Sequence, residues 1–298
     1  MSGRAARTLA QAKINLALRV FGKEADGYHS IETVFLRLDL GDDVEVRTTS
    51  GERSLRCFEM RDNRPEENLA WRAASLYAEE TGWPGGFEIE IVKNIPIGGG
   101  LGGGSADAAA VLRILNALAS KPVGSAKLLE MAGRLGSDVP FLASDHLMAF
   151  SWGRGEKLLA LEPLPPRDIQ LFFPPFGIDT GEAYALLDAA RGTYSGPGPE
   201  LTTEMFSNWD SAAKHSTNDF EAVMRPRWPA IDALLARGDR HGLFYRMSGS
   251  GSTVFKVSGV NTRPADAEAE VPLLEIPEGM RRIVTRNAGS VVPVQLLD

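Results

Sequence analysis

Pro96-Ile97-Gly98-Gly99-Gly100-Leu101-Gly102-Gly103-Gly104-Ser105-Ala106-Asp107 carries six glycines in the seven residues from Gly98 to Gly104, and an alanine-rich stretch follows it. Glycine loses more conformational freedom on folding than any other residue, so a run this dense needs a return. Phe87–Val92, just upstream, reads as a strand. Downstream, Ala108, Leu112, Leu115 and Ala119 fall at helical spacing and Ser105 is a good N-cap, which predicts a helix from Ala106 to about Ala119. A glycine loop that opens a helix gathers unpaired N–H groups and the positive end of the helix dipole at one spot, a seat for phosphate. The plain alternative is a flexible linker, but linkers do not normally join a strand to a good helix.

The common P-loop ends in Gly-Lys-Ser/Thr, and no lysine stands here, so that type is rejected. A dinucleotide G-x-G-x-x-G can be drawn through Gly98, Gly100 and Gly103, but in so glycine-rich a run the match is nearly automatic. The ribose-binding acid expected about 20 residues on is missing from Lys121-Pro122-Val123-Gly124. Composition narrows the class further. The 298 residues, 43% hydrophobic and 24% charged, suffice for a large core and suggest two domains. A formal net charge of −7 argues against nucleic-acid and anionic-membrane partners. The single Cys57 excludes internal disulfides and suits a reducing cytoplasm. Gln11, Lys13 and Asn15 break the N-terminal apolar stretch, so no secretory signal is expected, and no apolar run is long enough to span a bilayer. The four histidines are scattered and make no zinc pattern.

From Ala10 to Val20 the even positions are apolar and the odd ones mostly polar, the alternation of a strand with one buried face. Ser30–Leu38 reads as a second strand, Asp39-Leu40-Gly41-Asp42-Asp43 as a turn and Val44–Arg47 as a third strand. Helices are predicted over Glu67–Glu80 and Ser125–Leu135, with a hairpin around Gly153-Arg154-Gly155. Pro163, Pro165 and Pro166 mark a boundary, dividing the chain into residues 1–163 and 164–298. The second part opens on a strand at Ile169–Phe173, passes a Gly-, Pro- and Ser-rich loop at Gly192–Pro199, and carries a helix near Ala230–Arg237 and a strand at Val254–Val257. Helices mixed with antiparallel strands in both parts make the class α+β.

Four short constellations carry possible chemistry, and each admits two readings. Lys13 and Asn15 share the polar face of the first strand, either solvated or turned to a ligand. Asp26-Gly27-Tyr28-His29 is either a turn with a packed tyrosine or a stacking face beside a directional hydrogen-bonding group. Asp138, in Gly136-Ser137-Asp138-Val139-Pro140-Phe141, either caps a helix opened by Pro140 or serves as a base toward a hydroxyl. Ser248-Gly249-Ser250-Gly251-Ser252-Thr253 is either a plain turn or a nest of donors near phosphates.

Taken together, the order Ala12-Lys13-Ile14-Asn15-Leu16, Asp26-Gly27-Tyr28-His29, Pro96–Ser105, Gly136–Phe141, Gly153-Arg154-Gly155-Glu156 and Ser248–Thr253 resembles the GHMP kinases. The Asp-Gly-Tyr-His piece is similar to the branch that phosphorylates 4-diphosphocytidyl-2-C-methyl-D-erythritol in the non-mevalonate isoprenoid pathway. The resemblance runs from about Leu9 to Phe255. It departs at Ala106, where members usually carry a second serine, so one hydroxyl contact is lost.

The resemblance implies a ribosomal-S5-like N-terminal domain that binds ATP and a ferredoxin-like C-terminal domain that completes a substrate cleft. It places the catalytic pair on Lys13 and Asp138, the aspartate as base and the lysine as its electrostatic partner. ATP falls to Pro96, Ile97, Gly98, Gly99, Gly100, Leu101, Gly102, Gly103, Gly104, Ser105 and Ala106, with Asn68 and Lys93. The cytidine end of the substrate falls to Asn15, Tyr28 and His29, with Thr180 and with Tyr184 stacking opposite Tyr28. Mg²⁺ is expected with ATP, held mostly by phosphates, and Ser105 is the residue offered to it. The implied reaction moves the ATP γ-phosphoryl to the 2-hydroxyl of cytidine diphosphate–methylerythritol, in a cytoplasmic monomer or homodimer. Alternatives are a GHMP kinase of another small alcohol, such as homoserine or mevalonate, and an inactive nucleotide-binding relative, against which retention of both Lys13 and Asp138 speaks. An S5-like RNA binder conflicts with the acidic balance.

Overall fold

The computed structural model describes residues 3–25, 27–57, 64–190, 200–262 and 279–298. Asp26, the head of the Asp26–His29 motif, and the predicted Gly192–Pro199 loop lie outside the described residues. Two long strands organise the rest: β1 (Ala5–Lys23) and β2 (His29–Thr49) pair antiparallel along nearly their whole length. One end of β2 takes β4 (Gly86–Val92) and the other takes β5 (Met148–Gly153), both antiparallel. β3 (Arg53–Cys57) adds parallel to β4, and β6 (Lys157–Ala160) closes the hairpin with β5. β4 keeps strict alternation, with Phe87, Ile89 and Ile91 buried between exposed Glu88, Glu90 and Val92.

The turn predicted at Asp39–Asp43 is not one: β2 runs straight through it. The turn-forming residues serve other ends. A Cβ on Gly41 would sit 2.8 Å from the Ala10 carbonyl oxygen, so glycine there permits close approach where β1 bulges. The Asp42 carboxylate accepts from the amides of Asn94 and Ile95, at 2.6 and 2.7 Å, and so fixes the chain leading into the glycine loop.

Helices α1 (Leu69–Thr81), α2 (Gly103–Leu118), α3 (Ser125–Leu135) and the short α4 (Val139–Ala143) pack together beside this sheet. α2 is buried over most of its surface, and Ala106, Ala108, Ala109 and Ala110 let it approach α1 and β1 closely. It does not begin as predicted. Gly102, at φ 71°, holds the N-cap position, no side chain caps the helix, and Ser105 lies inside the first turn. The left-handed glycine turns the chain into the helix without covering its first N–H groups.

The later sheet has the order β10 (Arg281–Arg286), β7 (Asp168–Phe173), β9 (Val254–Asn261), β8 (Leu243–Met247), every pair antiparallel. Helix α8 (Pro229–His241) packs on it, and α5 (Thr180–Ala190) packs with α7 (Glu221–Met224), α6 (Trp209–His215) lying earlier in the chain. The chain finally returns to the first sheet, where β11 (Gln295–Leu297) pairs with β1. The α+β expectation holds.

The far ends of β1 and β2 enter the later core: Leu18, Val20 and Ile31 cluster with Phe172, Phe220 and Met247. Residues 216–219 cross onto β1, where Leu18 N donates to Thr217 O at 2.8 Å and Val20 N to the Asp219 carboxylate at 2.8 Å. One of the two readings of β1 kept its polar face in water. Instead Lys13 is 3% exposed and Asn15 4%, because the glycine loop and the later half of the chain cover that face. The solvated reading of Lys13 and Asn15 is therefore wrong.

Candidate active site

A cavity of about 550 Å³ lies where the glycine loop, β1, α4, α5 and the β8–β9 loop meet. Its wall includes Lys13, Asn15, Asn68, Lys93, all of Pro96 to Ser105, Asp138, Thr180 and Tyr184. Residues from eight separate stretches of sequence thus face one space.

At its floor, Lys13 Nζ lies 3.2 Å from Asp138 Oδ2, donates to Asn15 Oδ1 at 2.8 Å and reaches Gly100 O at 3.3 Å. Asn15 is turned to receive it because its amide nitrogen donates to Thr33 Oγ1 at 2.7 Å, and that hydroxyl donates to Ala17 O. Asp138 stands at the N-cap position of α4, but its side chain makes no capping bond. The carboxylate is free of backbone duty, paired with Lys13, and 27% exposed on its open side.

The glycine loop runs over this pair, with Gly98, Gly100 and Gly102 all at φ between 71° and 75°. It is clamped from the later half. Ser248 Oγ donates to Gly100 O at 2.9 Å, and Thr253 N donates to Gly99 O at 3.3 Å. A Cβ on Gly100 would lie 2.3 Å from Ser248 O, so only glycine lets the two loops touch. Asn218 holds the clamp in turn, donating to Met247 O and Gly249 O. The Ser248–Thr253 stretch is thus more than a plain turn: Gly249 and Ser250 reach the cavity, while Ser248 spends its hydroxyl on the glycine loop. Ala106 does not reach the cavity; it is buried behind the loop, and its amide closes the first turn of α2 on Gly102 O.

Beyond the loop, Asn68 caps α1 by accepting from Ala70 N at 2.8 Å. Lys93 is buried and paired with both Asp42 and Asp107. Burial disfavours its charge, but the two carboxylates outweigh that and hold its pKa above the usual lysine range. Burial pushes the Asp107 carboxyl up to about 7, against the pull of Lys93. Folded Asp107 therefore holds a proton that the unfolded chain has already lost above its ordinary value of 3.8, and this group's contribution to stability falls as pH rises through about 7. Asp107→Asn removes that dependence. The melting temperature of the variant relative to the parent should rise between about pH 5 and about pH 8; thermal melts across a buffer series check it, and a flat difference would refute the raised carboxyl.

At the opposite end Tyr184 lines the cavity, stacked 4.7 Å from His29 and edge-on to Phe220. Burial, helped by the Asp138 charge, pushes its phenol up to about 12, so it stays neutral. His29 Nε2 meets Asp188 Oδ1 at 2.8 Å. Tyr184 was expected opposite Tyr28. Tyr28 instead points away, 60% exposed, with the Arg154 guanidinium 4.3 Å from its ring centre. Neighbouring residues of extended chain point to opposite sides, so Tyr28 and His29 do not share a face here. Neither lines the cavity as it stands. Thr180, opening α5, lies 3.2 Å from Ser250 Oγ.

Sequence reading missed Asp42, Asp107, Asp188 and Asn218, whose partners are distant in the chain. For Asp107 a signal existed in its place one turn into the helix behind the glycine loop. Among the described residues no group of three or more His, Cys, Asp or Glu could hold a metal ion, and no helix is long and apolar enough to cross a membrane.

The GHMP kinases N terminal domain model matches residues 68–149, the span from Asn68 through the glycine loop and Asp138. A 4-diphosphocytidyl-2-C-methyl-D-erythritol kinase of Anaeromyxobacter dehalogenans (strain 2CP-C) is 42% identical over 258 residues, covering 84% of this chain and 80% of that protein. One of Clostridium botulinum (strain Eklund 17B / Type B) is 36% identical over 248 residues, covering 83% and 88%. A crystal structure of a 4-(cytidine 5'-diphospho)-2C-methyl-D-erythritol kinase superposes with a TM-score of 0.73 at 34% identity, covering 95% of this chain and all of that one. A fold shared over nearly its full length and relatives of this identity lead to one conclusion: the chain belongs to the 4-diphosphocytidyl-2-C-methyl-D-erythritol kinase family of the GHMP kinases.

Proposed function

We propose that the chain transfers the γ-phosphoryl group of ATP to the 2-hydroxyl of 4-diphosphocytidyl-2-C-methyl-D-erythritol, with Asp138 as base and Lys13 as its electrostatic partner. The observation that carries this reading is the Lys13–Asp138 pair, 3.2 Å apart, beneath a glycine loop whose helix begins without a side-chain cap. The substrate oxygen attacks the γ-phosphorus, its proton passes to an Asp138 oxygen, and the bond from phosphorus to the β,γ-bridging oxygen breaks to release ADP. Lys13 offers positive charge where the transferring group gathers negative charge. The free N–H groups of Gly103, Gly104 and Ser105 seat the phosphates, and the adenosine end lies toward Asn68 and Lys93. Mg²⁺ would neutralise the phosphate oxygens; with no carboxylate cage at the loop, the Ser105 hydroxyl suits an ion held chiefly by the nucleotide. The division into residues 1–163 and 164–298, and a cytoplasmic setting for the buried Cys57, which is in no disulfide, belong to the same reading.

The cytidine end falls to Asn15, Thr180 and Tyr184 on the cavity wall and to Tyr28 and His29, which lie outside that wall and would turn toward the base as it binds. Aromatic stacking on a base contributes about 1–3 kcal/mol and acts alike in ground and transition states. Tyr28→Ala and Tyr184→Ala should therefore raise KM for the cytidyl substrate about tenfold or more, lower kcat less, and leave KM for ATP nearly unchanged. A site built around a polar base edge also penalises alcohols that lack it. Steady-state kinetics with the cytidyl substrate, homoserine, galactose and mevalonate test the reading. Efficient phosphorylation of any of the last three would replace it with a broader alcohol kinase.

A further inference from the structure

We propose that Arg37, a fully buried residue outside the cavity wall, is a positioning residue that holds Asp138 in place through the opposite end of α4. The inference rests on the reading of Asp138 as the base.

Arg37 is the register partner of Lys13 across the β1–β2 pair, so the two side chains leave the sheet on the same face. Both reach α4, at different ends. Lys13 meets the Asp138 carboxylate before its first residue. Arg37 meets the carbonyls that leave its last turn: Nη2 donates to Phe141 O at 2.8 Å and to Ser144 O at 3.1 Å, Nη1 to Leu142 O at 3.4 Å, and Nε to His146 O at 3.1 Å. Its guanidinium also lies 5.0 Å from the Phe141 ring centre, and that ring stacks on Phe35. Two adjacent cations thus grip a helix of five residues, one through an anion at its N-terminal end and one through its C-terminal carbonyls, each matching the helix dipole.

A helix this short has little stability of its own, so its position is set by what holds its ends. Leu142 links them directly: its amide donates to Asp138 O, and its carbonyl accepts from Arg37. A buried guanidinium paired with main-chain carbonyls is costly to place. Burial, with the Arg113 charge, lowers its pKa to about 10 while Asp145 opposes, so it remains a cation at neutral pH. Lysine cannot reproduce the fork that serves carbonyls in several directions. The apolar contacts of Val139, Pro140, Phe141 and Leu142, all buried, keep α4 on the core without Arg37, but allow it to shift.

A double-mutant cycle tests this, with single-turnover rates normalised to sites titrated with an ATP analogue. Arg37→Lys should lower kcat about 10–100-fold in the parent, the cost of a small misplacement of a reacting group, with KM for both substrates within about threefold. In the Asp138→Asn background the same change should cost less than about threefold, because the group it positions is gone. An equal loss in both backgrounds, an unchanged kcat, or KM rising in step with the loss would overturn the proposal. If Arg37→Lys yields little folded protein the cycle is repeated with Arg37→Gln; failure of both to fold would make the arginine structural and overturn it as well. Near-parental turnover of Asp138→Asn alone is a different failure: it removes the base assignment, and this inference with it.

Discussion

Asp138→Asn should lower kcat by at least about 100-fold, the usual worth of a positioned base, while leaving KM for both substrates within about threefold. The amide keeps the size of the carboxylate and can still accept from Lys13, but it cannot take up the proton of the attacking hydroxyl. The fold has little to lose. Asp138 makes no capping bond, its side chain is 27% exposed, and Lys13 retains Asn15 Oδ1 and Gly100 O as acceptors. The melting temperature should stay within a few degrees of the parent. This pattern separates a base from a structural acid. Turnover near the parent's would sink the base assignment, and a large thermal loss with a modest kinetic one would make Asp138 a structural anchor. Stopped-flow turnover and a thermal melt on the same preparation decide between these.

What the sequence announced were features whose signals lie close together in the chain. The glycine run, the strand β1, the alternation of β4 and the bounds of α3 follow from local patterns, and the structure carries them. Even there, local chemistry misled where a distant partner took over. Asp39–Asp43 has the composition of a turn, but Asp42 is drawn to Lys93 and the amides of Asn94 and Ile95, and the strand continues. Ser105 has the chemistry of an N-cap, but Gly102 ends the loop one turn earlier by adopting a left-handed conformation. Lys13 and Asn15 admitted both a solvated and a ligand-facing reading because their spacing alone cannot show what lies across that face. Asn218 and Arg37 were illegible for the same reason: their role comes from carbonyls, which every residue has. Asp138 was legible as two alternatives, and its side chain makes no capping bond, so the base role is the one put to the test above.

Gly100→Ala should cost at least about 100-fold in turnover and several degrees of melting temperature, because it strikes a point where the two halves touch over the site. Two penalties add. At φ 75° an alanine is strained by about 1–2 kcal/mol. Its Cβ would also lie 2.3 Å from Ser248 O and 2.8 Å from Gly251 O, main-chain atoms that cannot rotate away as a side chain can. The β8–β9 loop must therefore retreat, which breaks the Ser248–Gly100 hydrogen bond and frees the carbonyl that Lys13 also touches. Gly82→Ala separates the two penalties. Gly82 closes α1 at φ 71° with nothing within 4 Å of its would-be Cβ, so alanine there adds only backbone strain, away from the cavity. It should lower the melting temperature by a few degrees and leave kcat unchanged. Parental turnover in Gly100→Ala would show that the two loops need not touch for phosphoryl transfer. If both variants lose turnover alike, the loss reflects general destabilisation and the clamp has no special part in the chemistry.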